Sequence, residues 1–267
     1  MKNKRNQKNI IWKILLIIFS IVLIICLIII GIQKYQQKKQ QEYYEALLEN
    51  ESTQTQATEE MPEPETEEAP DILKSLGIEI PEKDIDFAAL QEENSDVYAW
   101  IYVPGTNVDY PVLQHPEDDT YYLEHNMDGS KGLPGCIYTE SVNTKDFTDP
   151  NTVLYGHNMK NGTMFSSLRN YTDPTFCAAH PVIEFQTADG VGKYTVFAVA
   201  AVQKADAWYS FIHAADSTDF TEQAAAIMQK SLYDTGVTPV YGQQIITLST
   251  CYGSGKNGRL IVAAVKP

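Results

Sequence analysis

The run Ile245-Ile246-Thr247-Leu248-Ser249-Thr250-Cys251 decides how this chain is read. It is apolar and β-branched, and it delivers a cysteine to its end before Tyr252-Gly253-Ser254-Gly255 breaks it. Such a run predicts a strand, and period-two alternation puts Ile245, Thr247, Ser249 and Cys251 on one face and Ile246, Leu248 and Thr250 on the other. The first face grows more polar toward its end, so the sulfur is expected at the mouth of a loop, where a substrate could reach it. A free cysteine is more often small core filling. Only its company and its compartment can argue Cys251 out of that role.

The compartment is read at the other end of the chain. Lys2, Lys4, Arg5 and Lys8 precede residues 14–32, an uncharged run interrupted only by Phe19, Ser20, Cys26 and Gly31. At about 1.5 Å per residue it reaches roughly 28 Å, close to the thickness of a hydrocarbon core. It is too long for the core of a cleaved signal and leaves through Gly31-Ile32-Gln33-Lys34 rather than a small-x-small site, so it is expected to stay as a transmembrane anchor. The basic cluster before it predicts that residues 1–13 are cytoplasmic and that everything after residue 33 lies outside the cell. Residues 33–71 read as an extracytoplasmic stalk, with helical character through Leu48. An acidic, proline-bearing stretch from Glu51 to Pro70 follows, too poor in apolar side chains to offset the entropy of ordering. That stalk supplies much of the net charge of -15. No basic stripe survives outside the membrane-proximal ends, which argues against nucleic-acid binding.

Residues 72–267 remain, enough for one domain with a sizeable core. Short strands are predicted at 97–103, 108–113, 135–138, 152–155, 182–186, 193–202, 244–250 and 259–265, with turns at Pro104-Gly105-Thr106-Asn107 and Ala188-Asp189-Gly190. Helices are predicted at 86–90, 163–169, 174–179 and 217–232. Regular strands with few helices give a mainly β fold, a barrel or sandwich with peripheral helices.

Cys136, Cys177 and Cys251 share this external domain, and an odd number in a disulfide-permissive place leaves at least one thiol unpaired. Cys136 in an apolar strand and Cys177 beside Phe176 and Ala178 read as packing, and their spacing gives no support for a bridge. Among the histidines His157 stands apart, because it follows the strand Thr152-Val153-Leu154-Tyr155 and a Gly156 hinge and is therefore also offered at a strand end. His115, His125, His180 and His213 read as surface or structural. No His-x3-His or Cys-x2-Cys pair marks a metal site. Arg259 begins the strand after Cys251, and a hairpin would bring its guanidinium back beside the sulfur, where a permanent cation could hold a carbonyl or a developing oxyanion.

Thr247-Leu248-Ser249-Thr250-Cys251, Tyr155-Gly156-His157-Asn158 and Gly258-Arg259-Leu260 resemble the Cys, His and Arg motifs of the sortases. Asp96-Val97-Tyr98-Ala99-Trp100-Ile101, Asp109-Tyr110-Pro111-Val112-Leu113-Gln114, Tyr121-Tyr122-Leu123, Asn161-Gly162-Thr163-Met164-Phe165 and the long helix before the Cys strand are similar to the class B branch. The resemblance covers most of residues 86–267. It implies an eight-stranded sortase-like β-barrel and a membrane-anchored cysteine transpeptidase of Gram-positive bacteria, with no cofactor. In that reading Cys251 is the nucleophile, His157 moves the proton, and Arg259 stabilises the oxyanion or positions the signal peptide. Thr250, Ser249 and Asn158 would lie against substrate. The substrates implied are secreted proteins with a C-terminal sorting signal of the Asn/Ser-Pro-x-Thr-Asn/Gly type, and the acceptor is an amine of a peptidoglycan precursor. Gly253 stands where some class B members carry an acidic residue, so no third acidic catalytic residue is assigned. Two alternatives stay open: another wall-associated cysteine acyl-transfer enzyme, such as an L,D-transpeptidase or an amidase, and a non-catalytic membrane-tethered binding module with Cys251 in its core.

Overall fold

The structure is a computed structural model that describes residues 2–54 and 83–267. It divides into two compact units, Met1–Tyr43 and Tyr44–Pro267. Helix α1 (Lys2–Gln54) contains a stretch starting at Leu15 that is long and apolar enough to cross a membrane. The expected boundary at residue 32 is a change of composition only, because the helix continues through it. It also enters the first residues of the acidic stretch, since extending a formed helix costs far less than starting one. The rest of that stretch, expected to be unordered, lies outside the described residues.

The second unit is built on a closed barrel, β1 (Val97–Tyr102), β2 (Asp109–Leu113), β3 (Ile137–Thr139), β4 (Asn151–Tyr155), β5 (Val182–Thr187), β6 (Gly190–Gln203), β7 (Ile245–Cys251) and β8 (Gly258–Val265). Around the barrel the order is β1-β2-β3-β4-β7-β8-β6-β5, and β5 pairs with β1 to close it. Two neighbours, β2–β3 and β4–β7, are parallel; the others are antiparallel. Closure leaves no free edge to pair with another chain. The predicted strands are all present with ends shifted by a few residues. β6 starts three residues early because the Ala188-Asp189 turn is tight enough for Thr187 to pair with Gly190.

Helices α2 (Phe87–Glu93), α3 (Tyr121–Glu124), α4 (Pro174–Ala179) and α5 (Ser217–Lys230) surround the barrel. α5 is capped by Asp216, whose carboxylate accepts from the Thr218 and Asp219 amides. It buries Phe220, Ala224 and Ile227, spaced to share one face. Phe220 and Ile227 join Trp208, Phe211, Phe197, Ala263 and Val265 in a hydrophobic layer that packs the helix against the barrel wall. Strands β7 and β8 therefore lie between two apolar layers, which explains their near-continuous burial. The helix predicted at 163–169 is instead a 3-10 helix, Phe165–Thr172.

Candidate active site

The polar face of β7 is satisfied one residue at a time. Thr247 is fully buried, its hydroxyl donating to Asn151 Oδ1 at 2.8 Å and accepting from the Trp208 indole at 3.0 Å. The Ser249 hydroxyl meets the Tyr209 hydroxyl at 2.7 Å. Both aromatic residues come from the 3-10 helix Ala207–Ser210, which carries no sequence period and was not predicted. Cys251 is the first residue of this face beyond that cover, and it is exposed.

Strand pairing brings the other two residues to it. On one side Tyr155 is registered against Ser249 in the parallel β4–β7 pair, so the chain two residues later, at His157, runs alongside Cys251. On the other side Arg259 is the direct partner of Cys251 in the antiparallel β7–β8 ladder. Three hydrogen bonds fasten the β4 exit to β7: the Gly156 amide donates to the Ser249 carbonyl at 3.2 Å, the Thr250 hydroxyl to the Gly156 carbonyl at 2.7 Å, and Asn158 Nδ2 to the Cys251 carbonyl at 2.8 Å. Gly156 has no room for a side chain, since a Cβ would stand 2.5 Å from Ile137 Cδ1 and 2.7 Å from Phe165 Cγ. Gly258 is equally confined, 2.2 Å from the Tyr252 carbonyl oxygen at the same virtual position.

His157 Nε2 lies 2.8 Å from the Leu123 carbonyl oxygen of α3. A carbonyl only accepts, so Nε2 carries the hydrogen and Nδ1 is the nitrogen left for proton transfer. The Arg259 guanidinium donates from Nη1 to the carbonyls of Gly258 (2.9 Å) and Lys256 (3.1 Å), which holds it at the rim. No hydrogen bond joins Cys251 to His157 among the described residues. Catalytic contacts commonly tighten only once substrate is bound.

Cys251, His157 and Arg259 all line a cleft of about 230 Å³. Its floor is a row of tyrosines: Tyr138 and Tyr155 stack with ring centres 5.4 Å apart, and Tyr155 and Tyr209 with 6.1 Å between centres. Burial holds all three phenols in the protonated form, pushing Tyr209 up to about 12. Among the described residues Glu140 is the one carboxylate lining the cleft; burial raises its pKa and nearby Asp119 adds to this, opposed by the Tyr155 hydroxyl and Lys204. Thr250 and Ser249 also line the cleft, but both are buried with their hydroxyls engaged in the protein, whereas Asn158 braces the Cys251 backbone.

The other candidates are held elsewhere. His115 and His125 stack on Tyr121, His180 Nδ1 sits 2.9 Å from the Pro104 carbonyl, and His213 lies 3.4 Å from Asp149. Cys136 and Cys177 are buried, unpaired thiols. Among the described residues no group of three or more His, Cys, Asp or Glu side chains could hold a metal ion.

An exposed cysteine at a strand end, with histidine and arginine delivered beside it by neighbouring strands of a closed barrel, defines a class of thiol enzyme scaffold. The chain belongs to the sortase family, whose domain model matches residues 101–266. Sortase B of Listeria monocytogenes is 39% identical over 163 residues, covering 61% of this chain and 65% of that protein. Sortase B of Staphylococcus aureus is 30% identical over 182 residues, covering 67% and 73%. The chain thus spans about two thirds to three quarters of the curated relatives it matches. Among solved structures, the Staphylococcus aureus sortase B-substrate complex aligns with TM-score 0.63 at 29% identity, covering 67% of this chain and 83% of that one. Sortase B from Listeria monocytogenes aligns with TM-score 0.59 at 35% identity, covering 67% and 98%.

Proposed function

We propose that this chain is a class B cysteine transpeptidase of the Gram-positive cell wall, anchored by residues 14–32 with its catalytic domain outside the cell. The observation that carries the reading is the convergence of Cys251, His157 and Arg259 on one cleft, with Cys251 its exposed thiol. No ATP is available outside the membrane, so the energy of the new amide must come from an existing one. The Cys251 thiolate attacks the scissile carbonyl of a C-terminal sorting signal of the Asn/Ser-Pro-x-Thr-Asn/Gly type, and Arg259 stabilises the oxyanion or positions the peptide. The C–N bond breaks, the leaving amine takes a proton from the His157 imidazolium, and a thioacyl-enzyme remains. The amine of a peptidoglycan precursor then attacks the thioester. Neutral His157 accepts its proton, the C–S bond breaks, and the order of events is ping-pong. The solved Staphylococcus aureus sortase B-substrate complex supports a substrate occupant for the cleft.

Mass spectrometry of the full chain in detergent, incubated with peptides of that type, is expected to find an acyl adduct on Cys251. Cys251→Ala should lose both peptide cleavage and amine transfer, and Cys136→Ala and Cys177→Ala should keep them. Undiminished turnover in Cys251→Ala would refute the mechanism.

A further inference from the structure

Both half-reactions proposed above exchange one amine for another at a single carbon, so the cleft has to receive a group that reaches it as a cation. An unattached primary amine is protonated near neutral pH. Most of the cleft is unsuited to it. Arg259 and Lys204 enter from the β8 and β6 side of the strand order, and His157 joins them when protonated. The opposite, β3 side carries Glu140, the only carboxylate lining the cleft among the described residues.

Glu140 follows the end of β3 and, two residues from Tyr138, shares its face by strand alternation. It is partly buried, and Lys204 is the cation near enough to act on it. Its neighbouring donor is the Tyr155 hydroxyl, and Tyr155 belongs to the tyrosine row that leads to Ser249 and Cys251. A carboxylate in a half-desolvated cleft attracts a cation more strongly than one in open water. Arg259 and a protonated His157 repel an ammonium from the rest of the cleft, so it is steered to Glu140, where it competes with Lys204.

We infer that Glu140 is the docking group for the ammonium of the acceptor amine, and thereby selects cationic over neutral nucleophiles in the second half-reaction. The inference rests on the transpeptidase reading above. It concerns docking alone: the docked ammonium first gives up one proton to water, and the neutral amine then attacks with its second proton passing to His157.

The test compares two small nucleophiles as acceptors for the acyl-enzyme formed on a sorting-signal peptide: propylamine, which is protonated at neutral pH, and hydroxylamine, which is mostly neutral there. The quantity read is the ratio of their kcat/KM values, in which any change common to both cancels. Glu140→Gln is expected to lower that ratio about tenfold, the size of one charge-assisted hydrogen bond. Glu140→Asp, which keeps the charge, should retain most of it. A ratio unchanged in Glu140→Gln, or lowered as much in Glu140→Asp, overturns the assignment. Should the Gln variant not fold, the wild type carries the test: added potassium chloride should slow propylamine relative to hydroxylamine. Equal salt effects on the two would count against Glu140. Failure of the wild type to form any acyl-enzyme overturns the transpeptidase reading and this proposal with it, whereas an acyl-enzyme with no charge preference overturns this proposal alone.

Discussion

Gly156→Ala isolates the requirement that the β4 exit be thin. A methyl group there would stand 2.5 Å from Ile137 Cδ1 and 2.7 Å from both Phe165 Cδ2 and Cγ. Unstrained carbon contacts begin at about 3.5 Å, so roughly 1 Å of displacement is needed. Ile137 can supply part of it by rotating a terminal methyl. Phe165 cannot, because Cγ is the root of its ring and the residue is fully buried. Overpacking of this kind costs about 1–3 kcal/mol. For a domain of this size about 2 kcal/mol corresponds to a fall in Tm of roughly 4–8 °C. The backbone at 156 also carries His157, and a shift of about 1 Å in a proton-transfer group can cost on the order of a hundredfold in rate. Calorimetry and a peptide-cleavage assay on the variant measure the two effects, with Gly255→Ala as the control, since a Cβ there meets nothing within 4 Å. A Gly156→Ala enzyme with wild-type Tm and full activity would show that the glycine is not what sets the position of His157.

Two further outcomes are expected. Under native conditions a thiol-specific alkylating reagent should modify Cys251 and spare Cys136, because Cys251 is exposed whereas burial pushes the Cys136 thiol up to about 12; peptide mapping reads this directly, and Cys136 labelled as fast as Cys251 would contradict the buried placement. Glu140 has its pKa raised in the fold, so its contribution to stability is present below the unfolded carboxyl value and is lost as pH rises through the folded one. The Tm of Glu140→Gln relative to wild type should therefore be higher at about pH 7 than at about pH 4; the opposite trend in a thermal-shift series would show that the carboxylate is favoured by the fold.

Much of the barrel is legible in the sequence because its strands are short apolar runs punctuated by turn residues, and β7 announces Cys251 by ending in a glycine-rich loop. His157 and Arg259 are legible for the same reason, as polar side chains at strand ends. The elements that escape the sequence reading are those without a period. Helix α3 and the 3-10 helix Ala207–Ser210 are each a single turn, yet one supplies the carbonyl that fixes the His157 tautomer and the other the Tyr209 hydroxyl that occupies Ser249. Leu123 contributes a backbone oxygen, and a backbone group leaves no trace in residue type. Glu140 and Lys204 meet across the cleft only because β3 and β6 are brought near β7 by closure of the barrel, which no local pattern encodes.

Cys251 and Arg259 are cross-strand partners, so the hydrogen-bond ladder fixes their spacing and the loop of residues 252–257 does not. That loop enters through the Lys256 carbonyl, which holds the guanidinium. Its other residues can be redrawn, in length as in composition, while Cys251 and Arg259 stay registered against each other across the ladder.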